Sequence, residues 1–230
     1  MEIGLVLRFI ELLLDAGEFE TADELYRGRL ENGGVFLTIP APAEDLDCAL
    51  GFVREAAWWR CQESLSLKRA VFYLNEVGRY ATETGYFELA LRYHTDSSNI
   101  IRELDDAKNL GIILQNESEL LVIMGRLAEA ARTAGEAVNL TVREGDEPEI
   151  RDCHGYRGWA ACLSGQVRPA ARDFAVGNEM ERMGDHDGGT FYGIRSGHPA
   201  AAGRRMRSDL RTCQPYEWNA DVARCRLMLG

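Results

Sequence analysis

Residues 111–137 read GIILQNESELLVIMGRLAEAARTAGEA, and this stretch decides the fold class of the 230-residue chain. Apolar residues recur before and after Gly125 at the three- and four-residue spacing of amphipathic helices. Glycine ends a helix well because it adopts the left-handed backbone conformation without steric cost. The small Ala130, five residues later, allows the second helix to approach the first closely. The stretch therefore predicts two helices that meet at a glycine turn.

The same glycine and alanine pair recurs along the chain at wide and regular intervals. Gly85, Gly125 and Gly165 follow one another at a spacing of 40 residues. Repeats of about 20–50 residues are typical of stacked solenoids. All the pairs are Gly17/Ala22, Gly85/Ala90, Gly125/Ala130, Gly165/Ala170 and Gly197/Ala202. We therefore expect a repeat protein that offers a binding surface rather than a catalytic centre.

Helical spacing fills most of the chain, whereas strand patterns are nearly absent. The best strand candidate, residues 35–39, is followed at once by Pro40 and Pro42. The chain is therefore expected to be all-α and to form a single repeat domain over 1–230, with a loop over 32–45. The last unit is expected to be irregular and shortened, because Gly197 follows Gly165 by only 32 residues. The predicted units are 2–31, 46–63 (a single helix or linker), 67–104, 107–143, 149–182 and 190–229.

Around the glycine and alanine pairs, further residues resemble the tetratricopeptide repeat in a bacterial long-period form. The matching residues are Leu74, Val77, Gly78, Gly85 and Ala90, then Leu114, Ser118, Leu121, Gly125, Ala130 and Ala137, then Gly158, Gly165, Ala170, Phe174 and Gly177. The chain departs from the family at Glu117, where an apolar residue is usual, and in its period, which is about 34 residues in the family. The resemblance covers about two thirds of the chain. It implies a right-handed α-solenoid of stacked antiparallel helix pairs, whose first helices line a concave face that holds a ligand.

Carried over position by position, the resemblance also implies a partner-binding set on the concave face. The set is Asn75, Arg79, Glu83, Gln115, Glu119, Val122, Tyr156 and Trp159. In this interpretation the amides hold the main chain of a peptide, Arg79 holds a carboxylate and Trp159 supplies a buried anchor. The alternative is that Trp159 belongs to the core and that Asn75 and Gln115 make internal packing hydrogen bonds.

Composition narrows the classes of function. A net charge of −11 argues against nonspecific binding of nucleic acid, although residues 195–230 carry seven Arg against three Asp and Glu. No apolar run of 18 residues exists, so no membrane partner is expected. The six cysteines form no C-x-x-C pair, which predicts no metal site and reduced thiols in a cytoplasm. Phosphate-loop, dinucleotide and nucleophile-elbow motifs are absent from the sequence, so neither a cofactor nor an enzyme is expected.

Three functional hypotheses follow, of which the first leads. The chain is a cytoplasmic bacterial scaffold or sensor module that binds a protein or peptide, with self-association left open. Long-period repeats of this kind resemble the sensor arrays of bacterial nucleotide-switch ATPases, so the alternative is a regulatory or signal-binding subunit of such an ATPase, or of a transcription regulator, encoded separately. The third hypothesis is an enzyme that uses His154, beside Asp152 and Cys153, or His186, between two aspartates.

Overall fold

The computed structural model describes residues 3–34 and 42–183. Within these ranges the chain forms ten α-helices and a short 3-10 turn over Glu31–Gly33, without strands. The helices are α1 (Ile3–Ala16), α2 (Phe19–Arg29), α3 (Pro42–Val53), α4 (Glu55–Ser64), α5 (Leu67–Thr84), α6 (Phe87–Glu103), α7 (Ala107–Ile123), α8 (Leu127–Glu144), α9 (Glu147–Leu163) and α10 (Val167–Met183). The expected all-α class is confirmed for this part of the chain, and none of the helices described is long and apolar enough to span a bilayer.

The glycine turns adopt the backbone conformation that the sequence predicts. Gly125 has φ +74° and follows α7. Its N–H donates to the carbonyl of Val122 at 3.0 Å, and the N–H of Arg126 donates to the carbonyl of Leu121 at 2.8 Å. This pair of bonds is the Schellman arrangement, which satisfies carbonyls left over at a helix end. Gly17, Gly85 and Gly165 also have positive φ, and Ala22, Ala90, Ala130 and Ala170 are fully buried. The fifth pair, Gly197/Ala202, lies outside the described residues.

The chain divides into two compact units, Met1–Leu104 and Asp105–Gly230, which are treated separately below. In unit 1, α1 packs on α2, α3 packs on α5, and α5 pairs with α6. Aromatic rings fill the space between α2, α3 and α5, where Phe52 stacks on Tyr73 with centroids 3.7 Å apart and Tyr26 meets both rings edge-on. The sequence predicts a single domain over residues 1–230, and this expectation stays a prediction.

The region between the first two hairpins of unit 1 differs from the sequence-based expectation. The predicted loop over 32–45 ends earlier, because α3 already begins at Pro42, a residue that suits the first turn of a helix. The helix predicted over 46–63 is in fact two helices, since Arg54 adopts an extended conformation with ψ 151°. Phe52 and Cys61 are both buried, yet nine residues would place them on opposite faces of one straight helix. The break at Arg54 allows both side chains to face the core.

The described part of unit 2 contains two helix pairs that follow one another. Helix α7 packs on α8, α9 packs on α10, and α9 also packs on both α7 and α8. The carboxylate of Asp106 accepts from the N–H of Asn109 at 3.1 Å and so caps the start of α7. Helices α7 and α8 approach closely at Gly111, where a β-carbon would lie 2.8 Å from Cγ2 of Thr141. The contact between α7 and α9 brings the first helices of the two pairs side by side.

Candidate functional site

Three partly exposed residues occupy the same position in successive repeats. Arg79, Glu119 and Trp159 are spaced by 40 residues and lie on α5, α7 and α9. The residues that precede them are all buried: Gly78, Ser118 and Gly158. In each helix, therefore, the earlier residue packs against a neighbouring helix while the next one reaches the surface. These outward positions belong to the set that the sequence predicts for partner binding.

In unit 2 the structure brings Glu119, Tyr156 and Trp159 together, and we call these three residues the Glu119–Trp159 face. The hydroxyl of Tyr156 on α9 donates to Oε2 of Glu119 on α7 at 3.0 Å. The rings of Tyr156 and Trp159 have centroids 6.5 Å apart. Burial raises the pKa of Tyr156 well above its ordinary value, so the phenol stays a neutral donor to the carboxylate. Tyr156 thus fixes the position of Glu119 rather than presenting its own side chain to solvent.

Trp159 combines the two interpretations that the sequence left open. One part of its side chain packs against a cluster of Ala161, Ala170 and Phe174 between α9 and α10. The residue as a whole is only partly buried. A partly exposed side chain that packs against the core loses less conformational entropy when a ligand contacts it than a fully exposed one does.

Gln115 and Val122, two other predicted members, do not present their side chains. Both are buried, and the Sγ–H of Cys153 donates to Oε1 of Gln115 at 3.3 Å. Burial raises the pKa of Cys153 to about 12, so the thiol keeps the proton that it donates. Partner-binding roles for these two residues stay predictions that their burial does not support. The bond from Cys153 is an internal hydrogen bond of the kind that the alternative interpretation of Gln115 expects.

In unit 1 the predicted residues are Asn75, Arg79 and Glu83, all on α5. Asn75 is buried. The guanidinium of Arg79 pairs with Glu76 at 2.7 Å and with Glu83 at 3.5 Å, and it lies over the ring of Tyr80 at 3.9 Å from the centroid. Two carboxylates of the same helix already neutralise this cation. The role predicted for Arg79, holding a carboxylate of a partner, is therefore not supported by its surroundings.

A buried carboxylate in unit 1 was not predicted. Asp45 on α3 has no exposed surface, and its Oδ1 accepts from the hydroxyl of Tyr26 at 3.3 Å. Its Oδ2 finds no hydrogen-bond partner among the described residues. Burial raises the pKa of Asp45 to about 7, against hydrogen bonds from Tyr80 and Tyr26 that lower it. No pattern in the sequence indicates this site, because Asp45 lies at the end of the loop predicted over 32–45.

His154, the candidate catalytic residue beside Asp152 and Cys153, pairs with a carboxylate on the next helix. Its Nδ1 lies 2.9 Å from Oδ1 of Asp173, and Arg157 donates three hydrogen bonds to the same carboxylate, at 3.1, 3.0 and 2.5 Å. Asp152 pairs instead with Arg151 at 2.8 Å. Burial alone would raise the pKa of Asp173. The hydrogen bonds from His154 and Arg157 outweigh this effect, so the pKa lies below its ordinary value. This cluster therefore ties α9 to α10 as an ion-paired contact.

Within the described ranges no group of three His, Cys, Asp or Glu side chains is placed to hold a metal ion. His186 and the basic stretch 195–230 lie outside those ranges. Comparison with known proteins identifies no relative, since no protein-family model, curated protein or solved structure matches the chain. The function of the chain is therefore inferred from the geometry of its described residues.

Proposed function

We propose that unit 2 is a protein-interaction module of the tetratricopeptide type. In this proposal its antiparallel helix pairs stack as in a right-handed solenoid, and α7 and α9 together form the face that receives a partner. Support comes from the left-handed glycine after each first helix, the buried alanine five residues later, and the direct packing of α7 on α9. The single observation that carries the proposal is the grouping of Glu119, Tyr156 and Trp159 across these two helices.

The chemistry of the Glu119–Trp159 face favours a basic and apolar partner segment. A partly exposed tryptophan is among the side chains that contribute most to protein interfaces. A carboxylate offers about four acceptor positions, so Glu119 can accept from a partner while it retains the hydroxyl of Tyr156. The net charge of −11 attracts positively charged segments and speeds their encounter. We therefore propose a peptide segment in which Lys or Arg stands close to a large apolar residue.

Selection from a random peptide display library against the full chain tests this proposal. We expect the selected peptides to be enriched in a basic residue close to an apolar one. Isothermal titration of the best peptides should show a loss of affinity of at least about tenfold in Trp159→Ala, the size typical of an interface anchor. Glu119→Gln keeps an acceptor for Tyr156 and removes the charge, so it should weaken only those peptides that carry the basic residue.

Trp59→Ala is the matched control, because Trp59 is an exposed tryptophan on α4 of unit 1. This variant should bind the selected peptides as the wild type does. All three variants are first compared with the wild type by circular dichroism, so that a lost helix is not mistaken for a lost contact. Peptides that bind Trp159→Ala as tightly as the wild type would refute the assignment of the face.

A further inference from the structure

Helix α1 exposes an apolar stripe in addition to its buried side. Leu5, Phe9 and Leu12 are 54%, 56% and 53% exposed. Their spacing of four and three residues places them on one face of the helix. The side chains that α1 directs into unit 1 are Val6, Ile10 and Leu14. Three large apolar side chains exposed on one helix face form a patch of the kind that marks an interaction surface.

We infer that this stripe is the contact between two copies of the chain, which pair through α1 in antiparallel orientation. The stripe reads nearly the same in both directions, since Leu5 and Leu12 lie on either side of Phe9 at almost equal distances. A twofold axis close to Phe9 therefore sets Leu5 against Leu12 of the second copy and brings the two Phe9 rings together. Such a self-complementary patch is what a twofold interface requires.

The charges beside the stripe also match a second copy. Arg8 and Glu11 flank the stripe, form an ion pair within α1 and are largely exposed. In an antiparallel helix pair the same flank of each helix faces its counterpart. The two Arg8 and two Glu11 side chains then form one alternating set without net charge. A segment of uniformly basic or acidic character would leave one of these charges opposed, so the balanced flank favours a second copy over a highly charged partner.

The contact is small, because a helix of 14 residues is only about 21 Å long. Interfaces at the low end of the size range are weak and transient. Sedimentation velocity of the full chain from about 1 to about 300 µM therefore brackets the expected dimerisation. We expect the sedimentation coefficient to rise with concentration across this range. A chain that stays monomeric up to the highest concentration would overturn the inference.

Phe9→Glu tests the position of the axis, because it places two like charges opposite each other. The dimer dissociation constant should rise at least tenfold. Val142→Glu is the matched control, since Val142 is 53% exposed on α8 and the substitution introduces the same charge. It should dimerise like the wild type, and an equal loss in both variants would overturn the inference.

A pair of variants tests the antiparallel register. Leu5→Lys alone and Leu12→Glu alone each place a charge against an apolar side chain and should lose the dimer. A mixture of the two variants should regain it, because Lys at position 5 of one copy then meets Glu at position 12 of the other. A parallel pair offers no such match, so a mixture that stays monomeric would refute the antiparallel contact. Circular dichroism of each variant shows that the exposed substitutions leave the fold intact.

Discussion

The contact between Gly78 and His94 holds α5 and α6 of unit 1 at close range, and it gives a sharp test of the packing. A β-carbon on Gly78 would lie 2.6 Å from both Cε1 and Nδ1 of His94. His94 has no exposed surface, so its ring has no room in solvent to move into. We therefore expect Gly78→Ala to push the two helices apart and to lower the free energy of unfolding.

The magnitude follows from two opposing terms. Replacing glycine by alanine inside a helix gains about 1 kcal/mol of intrinsic helix propensity. Forcing one extra carbon into a packed core costs about 1–3 kcal/mol. Because Gly78 would meet a buried ring well inside van der Waals distance, the upper end of this cost applies, and the net loss is about 2 kcal/mol.

Gly135 on α8 supplies the control for Gly78. A β-carbon there meets no atom within 4 Å, so Gly135→Ala should gain up to about 1 kcal/mol. The same substitution is thus expected to lower the free energy of unfolding at Gly78 and to raise it at Gly135. Urea unfolding followed by circular dichroism measures both, and hydrogen exchange of the amides in α5 and α6 shows whether the loss is confined to unit 1.

A double-mutant cycle identifies the histidine ring as the cause. His94→Ala removes the obstructing ring, and Ala134 already stands at the equivalent position one repeat later, where Ser118 replaces Gly78. In the His94→Ala background, Gly78→Ala should cost nothing or stabilise the chain. The reasoning is refuted if Gly78→Ala stabilises the wild type as Gly135→Ala does, or if its cost persists without the ring.

Two further predictions concern a titration and a turn. The folded pKa of Asp45, about 7, lies above its value of about 4 in an unfolded chain, so the folded state binds the proton more tightly and the stability of unit 1 should fall as the pH rises from about 4 to about 7. Asp45→Asn should flatten that slope in unfolding measured across this pH range, and an unchanged slope would contradict the assignment. Gly125 has φ +74° and open space around it, so Gly125→Ala should lower the free energy of unfolding by about 1 kcal/mol through backbone strain alone. Gly125→Asn should lose less in the same urea assay, because asparagine tolerates this conformation, and equal losses would argue against strain.

The helix pairs were predictable because their turns leave a mark in the sequence. A left-handed residue at the end of a helix strongly favours glycine, and Gly125 lies where α7 ends. A close helix contact favours alanine, and Ala130 is fully buried. Both demands act on residues close together in the chain, so one sequence is enough to reveal them.

The buried site around Asp45 was not predictable, because it depends on contacts between distant segments. Tyr26 comes from α2, Asp45 from α3 and Tyr80 from α5. A β-carbon on Gly33 would lie 2.6 Å from the hydroxyl of Tyr80, which shows how tightly these segments converge. Local patterns contain no information about such convergence. The helix break at Arg54 was not predictable for the same reason, since it depends on the tertiary contacts that bury both Phe52 and Cys61.

Within the predicted site, the surroundings of Arg79 could be predicted from the sequence, whereas those of Gln115 could not. Glu76 and Glu83 stand three and four residues from Arg79, a spacing at which opposite charges pair along a helix. The sequence thus already contains the partners that neutralise this cation. The bond from Cys153 to Gln115 joins α9 to α7, and its existence depends on how far one helix is shifted along the other.

Adjacent positions on α5, α7 and α9 differ in how strongly the fold constrains them. At steps of 40 residues the buried position holds Gly78, Ser118 and Gly158, which are all small because a second helix lies against them. The next residue changes from a cation to an anion to an aromatic ring within the same frame: Arg79, Glu119 and Trp159. Packing constrains this partly exposed position much less than its buried neighbour, so its side chain is free to differ between helices. The proposed partner-binding role of the Glu119–Trp159 face therefore depends on the grouping of Glu119, Tyr156 and Trp159 across α7 and α9 and not on this variation.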